Sequence, residues 1–348
     1  MPSHTPGSGR PVGIRDVARL AKVSVATASL ALNGQPGVAA VTRGRIVAAA
    51  EQLGYHANPQ AQALRTGRST TYGLVFRNFA NPFFLEVLSG AQEIAAESGA
   101  TLLVLDSGYS PERECEHVRE MAAQRLAGLA ISPVGAGESI RLWQEARPGA
   151  PVVALNASAD GISGVCRVRP DNARAVELPM RRLAELGHTD VAFLAAPLGL
   201  MADPDRLHHF RRLARDLDLR PHVLHSPLTM ADVQRATREV LAAPGAPTAI
   251  ITNSDYTAHA VYKAARELCL VIGPGVSVIG HDDLPTSELL DPPLATVRMD
   301  QRAMGRALML RLLGRVPPDD HIAAVELVER ASLTVPAIRL NQDVQQPR

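Results

Sequence analysis

The apolar residues near the start of the chain recur at the i, i+3, i+4, i+7 spacing of short amphipathic helices. Ile14, Val17, Ala18 and Ala21 form one such stripe, and residues 28, 31 and 32 form a second. Ser24, between the stripes, is a residue type that accepts hydrogen bonds from the free amides at a helix N-terminus. The spacing predicts a helix-turn-helix, although any hairpin of two short helices would give the same stripes.

A third helix is predicted to open at Thr42 and to end before Gly54, whose missing side chain suits a left-handed C-terminal cap. Its inward residues are expected to be Ile46, Val47, Ala50 and Leu53. Three short helices in succession make a small helical head, which we place at residues 12–57.

From Tyr72 onward, short apolar strands alternate with amphipathic helices in two successive sets. Such alternation is typical of doubly wound parallel sheets, and two sets predict two lobes. Ligands of these sheets lie beyond the carboxyl ends of the strands. The strands are expected at 72–76, 101–105, 128–132, 152–155, 191–195, 249–252 and 276–280, and the helices at 84–99, 111–124, 171–186, 206–217, 230–242 and 255–268.

The charge of the chain is unevenly distributed. Residues 1–70 hold eight Lys or Arg against Asp16 and Glu51, which gives +6, and because the whole chain carries +1, the remainder carries −5. A basic segment before a mildly acidic body is typical of a nucleic-acid-binding module joined to a regulatory domain, unless the asymmetry arises by chance.

Three cysteines, far apart and odd in number, indicate neither a disulfide framework nor a zinc site. Asp203, Asp205, His208 and His209 match no zinc spacing and are expected to be surface charges at a helix start. Residues 1–11 form a polar tail without the apolar core of a signal peptide, and no apolar run approaches the length of a membrane span. We expect a protein of the cytoplasm with no membrane partner, associated with the nucleoid when it is bound to DNA.

Together, these features resemble the lactose-repressor (LacI/GalR) family of bacterial transcription regulators over roughly residues 13–338. Each short match is weak, but the combination is highly specific. In the head, the matching residues are Asp16–Ala18, Ala21, Val23–Ser24, Thr27, Ser29, Asn33–Gly34, Leu53–Tyr55 and Asn58. In the body, they are Asn81–Phe84, Asp255, Gly280–Asp283, Pro292–Val297, Gly305 and Leu327–Ser332.

The resemblance implies a DNA-binding surface on the second helix and in a hinge helix that follows the head. Base edges would meet Val25, Ala26 and Leu30, and phosphates would meet Ser24, Thr27, Ser29 and Asn33. Leu30 departs from the family, which commonly has a long polar or basic side chain there, so these base contacts would be apolar. Leu64 matches the leucine that the family inserts into the minor groove. The remaining DNA-contacting positions are Tyr55, Asn58, Ala61 and Arg65.

An effector pocket between the two lobes is also implied. The positions that match it are Phe83, Phe84, Asn156, Arg206, Ser254 and Asp282. Aromatic rings, an amide, a guanidinium and a carboxylate suit a sugar or another small metabolite. Leu200, Leu228 and Met299 stand where relatives often have polar or aromatic ligand contacts, which leaves a smaller or less polar effector open.

The sequence therefore predicts an α/β protein: a helix-turn-helix head, a hinge and linker at 58–70, and a two-lobed, periplasmic-binding-protein-like effector domain at 71–338, with tails at 1–11 and 339–348. We expect a homodimeric repressor of operator DNA that uses no cofactor or metal and is not an enzyme, because no catalytic constellation stands out. The alternative is a solute-binding protein of a transport system, which would need a signal peptide and no basic head.

Overall fold

The computed structural model describes residues 12–32, 35–55, 69–157, 161–197 and 205–337. Its contacts divide the chain into two units, Met1–Ser69 and Thr70–Arg348. None of the helices in the described ranges is both long and apolar enough to cross a bilayer.

The first unit contains the three predicted helices, α1 (Ile14–Leu20), α2 (Val25–Leu32) and α3 (Ala40–Gln52). The apolar stripes meet in one small core in which Val17, Ala28 and Ile46 are fully buried. One inward residue was predicted wrongly: Val47 is 39% exposed, and Ala49 lies in the core instead. Gly54 has the predicted left-handed backbone, with φ +61°.

The second unit holds two six-stranded sheets, one for each lobe. The N-lobe sheet has the order β11-β5-β4-β3-β1-β2 and its strands are all parallel. Its strands are β1 (Thr71–Phe76), β2 (Thr101–Asp106), β3 (Leu129–Ile131), β4 (Val152–Leu155), β5 (Cys166–Pro170) and β11 (His321–Ala323).

The C-lobe sheet has the order β12-β10-β9-β8-β6-β7, and only its edge strand β12 runs antiparallel to its neighbour. Its strands are β6 (Asp190–Ala195), β7 (Arg220–His225), β8 (Ala249–Ile251), β9 (Ser277–Asp282), β10 (Ala295–Arg298) and β12 (Glu326–Val328). Strands β5, β7, β10, β11 and β12 are additions to the sequence-based prediction.

Helices cover both faces of each sheet, so both lobes are doubly wound as predicted. The N-lobe helices are α4 (Phe83–Glu97), α5 (Pro111–Ala123), α6 (Glu138–Ala146) and α11 (Gln301–Leu312). The C-lobe helices are α7 (Asn172–Leu186), α8 (Asp205–Asp216), α9 (Met230–Leu241) and α10 (Asp255–Glu267). Of these, α6 and α11 were not predicted.

The chain crosses between the lobes after β5, after β10 and after β11. The second crossing leads into α11, which packs on α4 so closely that glycine is required on both helices. A Cβ at Gly305 would lie 1.9 Å from the Val87 carbonyl oxygen, and one at Gly90 would lie 2.1 Å from that of Arg302. This close backbone contact holds the crossing segment firmly against the N-lobe.

Candidate functional site

The exposed face of α2 is apolar at its centre. Val25 is 43% exposed and Leu30 is 37% exposed, and Ala26 is exposed beside them. The inward residues of the helix form the head core, and these exposed side chains are not part of it. They are the surface on which the predicted base contacts depend.

Short hydroxyl side chains open this helix. The Thr27 amide donates to Ser24 Oγ at 3.0 Å, and the two hydroxyls lie 2.8 Å apart. Ser24 is therefore the predicted N-cap, and its exposed hydroxyl remains beside the free amides of the helix terminus, which favour anions. Unlike Ser24 and Thr27, Ser29 is buried, with only 6% of its surface exposed.

Tyr55 is half-buried and packs against the head core. Arg43 has a role that the sequence did not indicate. Its guanidinium donates to the Ala31 carbonyl at 2.7 Å and to the Gln35 carbonyl at 2.6 Å, so it ties α3 to the end of α2. Four predicted hinge contacts and one head contact lie outside the described residues, namely Asn33, Asn58, Ala61, Leu64 and Arg65.

In the second unit, Asp282 ends β9 and lies buried between the lobes. Its Oδ1 is 3.1 Å from His281 Nδ1, whereas its Oδ2 has no hydrogen-bond partner among the described residues. Burial raises the pKa of Asp282 to about 8, against the opposing effects of the Arg206 charge, a hydrogen bond from Asn81 and the Arg77 charge. Burial therefore favours the protonated form of this carboxyl group, which can donate one hydrogen bond.

The backbone of Asp282 is strained, with φ +123°. Gln301, at the start of α11, donates its side-chain amide to the Asp282 carbonyl oxygen. The next residue, Asp283, pairs with Arg298 at 2.6 Å and with Arg330 at 2.7 Å. The turn formed by Asp282 and Asp283 is therefore held by both lobes. Gln301 belongs to an N-lobe helix, whereas Arg298 ends strand β10 of the C-lobe.

Arg206 lies in the first turn of α8 and reaches the end of β8. Its Nη1 donates to the Asn253 carbonyl at 3.1 Å, and its charge acts on Asp282. Ser254 follows Asn253 and is the N-cap of α10, where it accepts from the Thr257 amide at 3.3 Å. The structure therefore brings Arg206 and Asp282 together, and Ser254 is adjacent to them but used as a helix cap.

Asn156 follows β4 with a left-handed backbone, φ +50°. Its carbonyl accepts from Arg77 Nη2 at 3.2 Å. Phe83 and Phe84 are 1% and 2% exposed and belong to the N-lobe core, where Phe84 stacks on Phe76 at 5.1 Å. The two aromatic rings therefore offer little free face to a ligand in this arrangement.

Asp255 is a buried carboxylate whose contacts the sequence did not predict. It accepts hydrogen bonds from the Leu284 amide, the Ser287 hydroxyl and the Thr296 hydroxyl. Burial raises its pKa to about 6. A Cβ at Gly280 would lie 2.0 Å from its Oδ1, so the glycine makes room for the carboxylate. Asp255 thus fixes the segment that follows Asp282.

Arg77 is a second residue that the sequence analysis missed. It follows β1, is 3% exposed, and places its guanidinium 5.9 Å from the Phe84 ring centroid. Three residues stand where relatives often have polar or aromatic ligand contacts. Of these, Leu228 and Met299 are buried, and Leu200 lies outside the described ranges. In those ranges, no three His, Cys, Asp or Glu side chains are grouped so that they could hold a metal ion.

Two family models match the chain. Residues 13–58 match the bacterial regulatory proteins of the lacI family, and residues 180–333 match the periplasmic binding protein-like domain. The HTH-type transcriptional repressor PurR of Aliivibrio fischeri (strain ATCC 700601 / ES114) is 28% identical over 331 residues, which cover 92% of this chain and 98% of the relative. PurR of Vibrio cholerae serotype O1 (strain M66-2) is 26% identical over 325 residues, covering 91% and 96%.

Solved structures match the chain over most of its length. The lac repressor dimer bound to operator and the anti-inducer ONPF superimposes with a TM-score of 0.81 and 27% sequence identity. The superposition covers 93% of this chain and 100% of that chain. The complex of the transcriptional regulator CelR with cellobiose gives a TM-score of 0.68 and 25% identity, with the same coverage.

Proposed function

Because the chain belongs to the lacI family of bacterial regulatory proteins, we propose that it represses transcription from operator DNA under the control of a small molecule bound between its lobes. The observation that carries this function is the exposed face of α2 in a head whose sequence matches the family model. The chain is a DNA-binding regulator, and it is not an enzyme.

In this proposal, α2 enters the major groove. Val25, Ala26 and Leu30 contact base edges, and such apolar groups suit thymine methyls. Ser24, Thr27, Ser29 and Asn33 contact phosphates and fix the position of the helix. Ser29 is buried, so it is less accessible to a phosphate than Ser24 or Thr27.

The segment after the head supplies the second part of the DNA contact. We propose that Leu64 enters the minor groove as an apolar wedge, with Ala61 on the same face and Arg65 at a phosphate. Tyr55 and Asn58 lead into this hinge. Unstacking a base step costs a few kcal/mol, which is offset by the protein surface that the bent duplex contacts.

The effector is proposed to bind among Asp282, Arg206 and Asn156. The supporting observations are that the Arg206 charge acts on Asp282, that the Asn156 carbonyl accepts from Arg77, whose charge also acts on Asp282, and that one Asp282 carboxyl oxygen has no partner among the described residues. The residues around Asp282, Arg206 and Asn156 would be Phe83 and Phe84 of the N-lobe core and Ser254, the N-cap of α10. A ligand there contacts both lobes and favours one arrangement of them.

We also propose a homodimer, since the lac repressor structure is that of a dimer on operator. A symmetric dimer presents two recognition helices to half-sites about one helical turn apart. Sedimentation should show a dimer at micromolar concentration. A dominant tetramer would contradict this. We propose that the protein acts in the cytoplasm and is associated with the nucleoid when it is bound to operator DNA.

Footprinting on DNA selected from a random pool tests the function. The expected result is protection of a roughly palindromic site with two equivalent halves. The matched control is Leu64→Ala, which should weaken protection of the selected site more than binding to random DNA. Protection of one asymmetric half-site, or none above random DNA, would refute the proposal.

A further inference from the structure

Strand β9 ends in two neighbouring side chains that are hydrogen-bonded to each other. His281 Nδ1 lies 3.1 Å from Asp282 Oδ1. Successive side chains of a regular strand point to opposite faces of the sheet, so this contact depends on the unusual backbone of Asp282, with its φ of +123°. The two residues, the His-Asp pair, thus form one polar unit at the end of the strand.

Each member of the His-Asp pair keeps one polar atom unpaired. His281 is 5% exposed and Asp282 is 4% exposed. Among the described residues, neither His281 Nε2 nor Asp282 Oδ2 has a hydrogen-bond partner. Most buried polar atoms in folded proteins are paired, and an unpaired one is costly, so each requires an explanation. Here the two atoms belong to side chains that are bonded to each other, which indicates a single binding partner for both.

The charged groups nearest to the pair have hydrogen bonds of their own. Asp255, whose charge acts on His281, accepts three hydrogen bonds from residues of the segment 284–296. Arg206, whose charge acts on both members of the pair, donates to the Asn253 carbonyl. The described part of the chain therefore pairs these groups with one another and not with the two open atoms.

Both lobes contribute groups around the pair. Asn81, which follows β1 in the N-lobe, hydrogen-bonds to Asp282, and Arg206 begins a helix of the C-lobe. The His-Asp pair therefore lies at the effector site that we propose between the lobes. A ligand that binds there meets a buried surface on which two polar atoms still need partners.

The protons of the pair determine what it can bind. Burial lowers the pKa of His281 and raises that of Asp282 to about 8, so burial favours a neutral imidazole beside a neutral carboxyl group. If Nδ1–H donates to Oδ1, Nε2 is left as an acceptor and Oδ2–H as a donor. If Oδ1–H donates to Nδ1, Nε2–H is the donor and Oδ2 the acceptor, and transfer of this proton to the imidazole leaves that pattern unchanged. Each arrangement offers one donor and one acceptor.

We propose that His281 determines effector specificity together with Asp282, and that the effector is an uncharged compound with a hydrogen-bond donor and an acceptor side by side. An amide or lactam edge has this pattern, and so do two neighbouring hydroxyls. The inference deepens the proposed function, because it rests on an effector that binds between the lobes. A carboxylate or phosphate oxygen only accepts, so it would leave the acceptor of the pair without a donor.

The test is a thermal-shift screen of the full-length protein with matched pairs of uncharged compounds at millimolar concentration. Each amide, lactam or diol is compared with its N-methyl or O-methyl derivative, which lacks the donor, and carboxylates and phosphates at matched ionic strength form an anionic set. We expect the strongest stabilisation from an unmethylated, uncharged compound. In isothermal titration, its dissociation constant should be about tenfold lower than that of its methylated derivative.

Two variants of His281 test whether this residue causes the preference. His281→Phe keeps a ring but removes both nitrogens, so the ratio of the two dissociation constants should fall towards one. A merely structural role would weaken the binding of both compounds equally and leave the ratio unchanged. His281→Asn can reach Asp282 with its amide but has no atom in place of Nε2, and it tests the same contact should His281→Phe fail to fold.

The control variant is His222→Phe. His222 lies in the same lobe and pairs with Asp190, which begins β6, at 3.3 Å. Because the cleft lies at the carboxyl ends of the strands, this substitution should leave both the affinity and the ratio as in wild type.

Three outcomes would overturn the inference: strongest stabilisation by an anion, no difference between methylated and unmethylated compounds in wild type, or an unchanged ratio in the His281 variants. Stabilisation by none of the uncharged compounds would overturn it as well. Operator binding without ligand separates the two proposals. If operator is bound but an anion controls it, the repressor function stands and this inference fails. If no operator is bound, the proposed function itself fails.

Discussion

Replacing Asp282 by asparagine should make the unliganded protein more resistant to rising pH. The substitution keeps the size of the side chain and removes only its ionisation. The folded protein holds the carboxyl proton up to about pH 8, whereas an unperturbed aspartate loses it near 3.8. Since the folded state binds the extra proton, stability falls as pH rises between these two values.

The magnitude follows from the number of protons involved. One extra proton in the folded state lowers the unfolding free energy by about 1.4 kcal/mol per pH unit. Between pH 5 and pH 7, Asp282→Asn should therefore gain about 3 kcal/mol relative to wild type. Glu114 also has a raised pKa, but both proteins retain this group, so its contribution largely cancels in the difference. Asp255 is coupled to Asp282, whose charge raises the Asp255 pKa, so the substitution also changes the contribution of Asp255.

Urea unfolding followed by circular dichroism at pH 5, 6, 7 and 8 measures this difference. The matched control is Asp216→Asn, which removes an exposed carboxylate of the same lobe. A constant difference for Asp282→Asn would refute the reasoning, because it would mean that the folded state does not hold the proton.

Further predictions concern packing, DNA contact and the effector response. Gly305→Ala should lower the unfolding free energy by about 1–3 kcal/mol, because its Cβ would meet the Val87 carbonyl at 1.9 Å. Gly44→Ala, with nothing within 4 Å of its Cβ, should leave the melting temperature unchanged or higher. Leu64→Ala should weaken operator binding in fluorescence anisotropy while leaving ligand affinity without DNA nearly intact. Asp282→Ala should abolish the effect of ligand on operator binding, and a full response in this variant would disprove the pocket assignment.

The helices of the head could be predicted from the sequence because their apolar spacing is regular and Ser24 marks the start of α2. Val47 was misplaced because Ile46 and Val47 are adjacent apolar residues, and periodicity alone does not decide which of them faces two short neighbouring helices. The small residue Ala49 fills that position instead.

In the body, the predicted strands are the strongly apolar ones, and they include the edge strand β2. Strand β5 was not predicted because Arg167 and Arg169 alternate with its apolar residues. Strand β7 was not predicted because it contains Pro221 and two histidines. The edge strands β11 and β12 have only three residues each, too few to establish a period.

In the functional site too, some residues could be named from the sequence, whereas others became apparent only from their tertiary contacts. Asp282, Arg206 and Asn156 were named because they match the effector-pocket positions of the family that the sequence resembles. Arg77 was missed because a single arginine after a strand carries no pattern, and its role depends on contacts with residues 56 and 79 positions away. Such contacts follow from the packing of the lobe rather than from local sequence.

The central claim is that ligand and operator act on one equilibrium between lobe arrangements. Fluorescence anisotropy on labelled operator, with and without a saturating ligand from the screen, measures the ratio of the two operator dissociation constants. The account predicts a ratio of about 5 to 150 in either direction, and the same ratio in ligand affinity with and without operator, because the coupling is reciprocal. Equal operator dissociation constants with and without the bound ligand would contradict it.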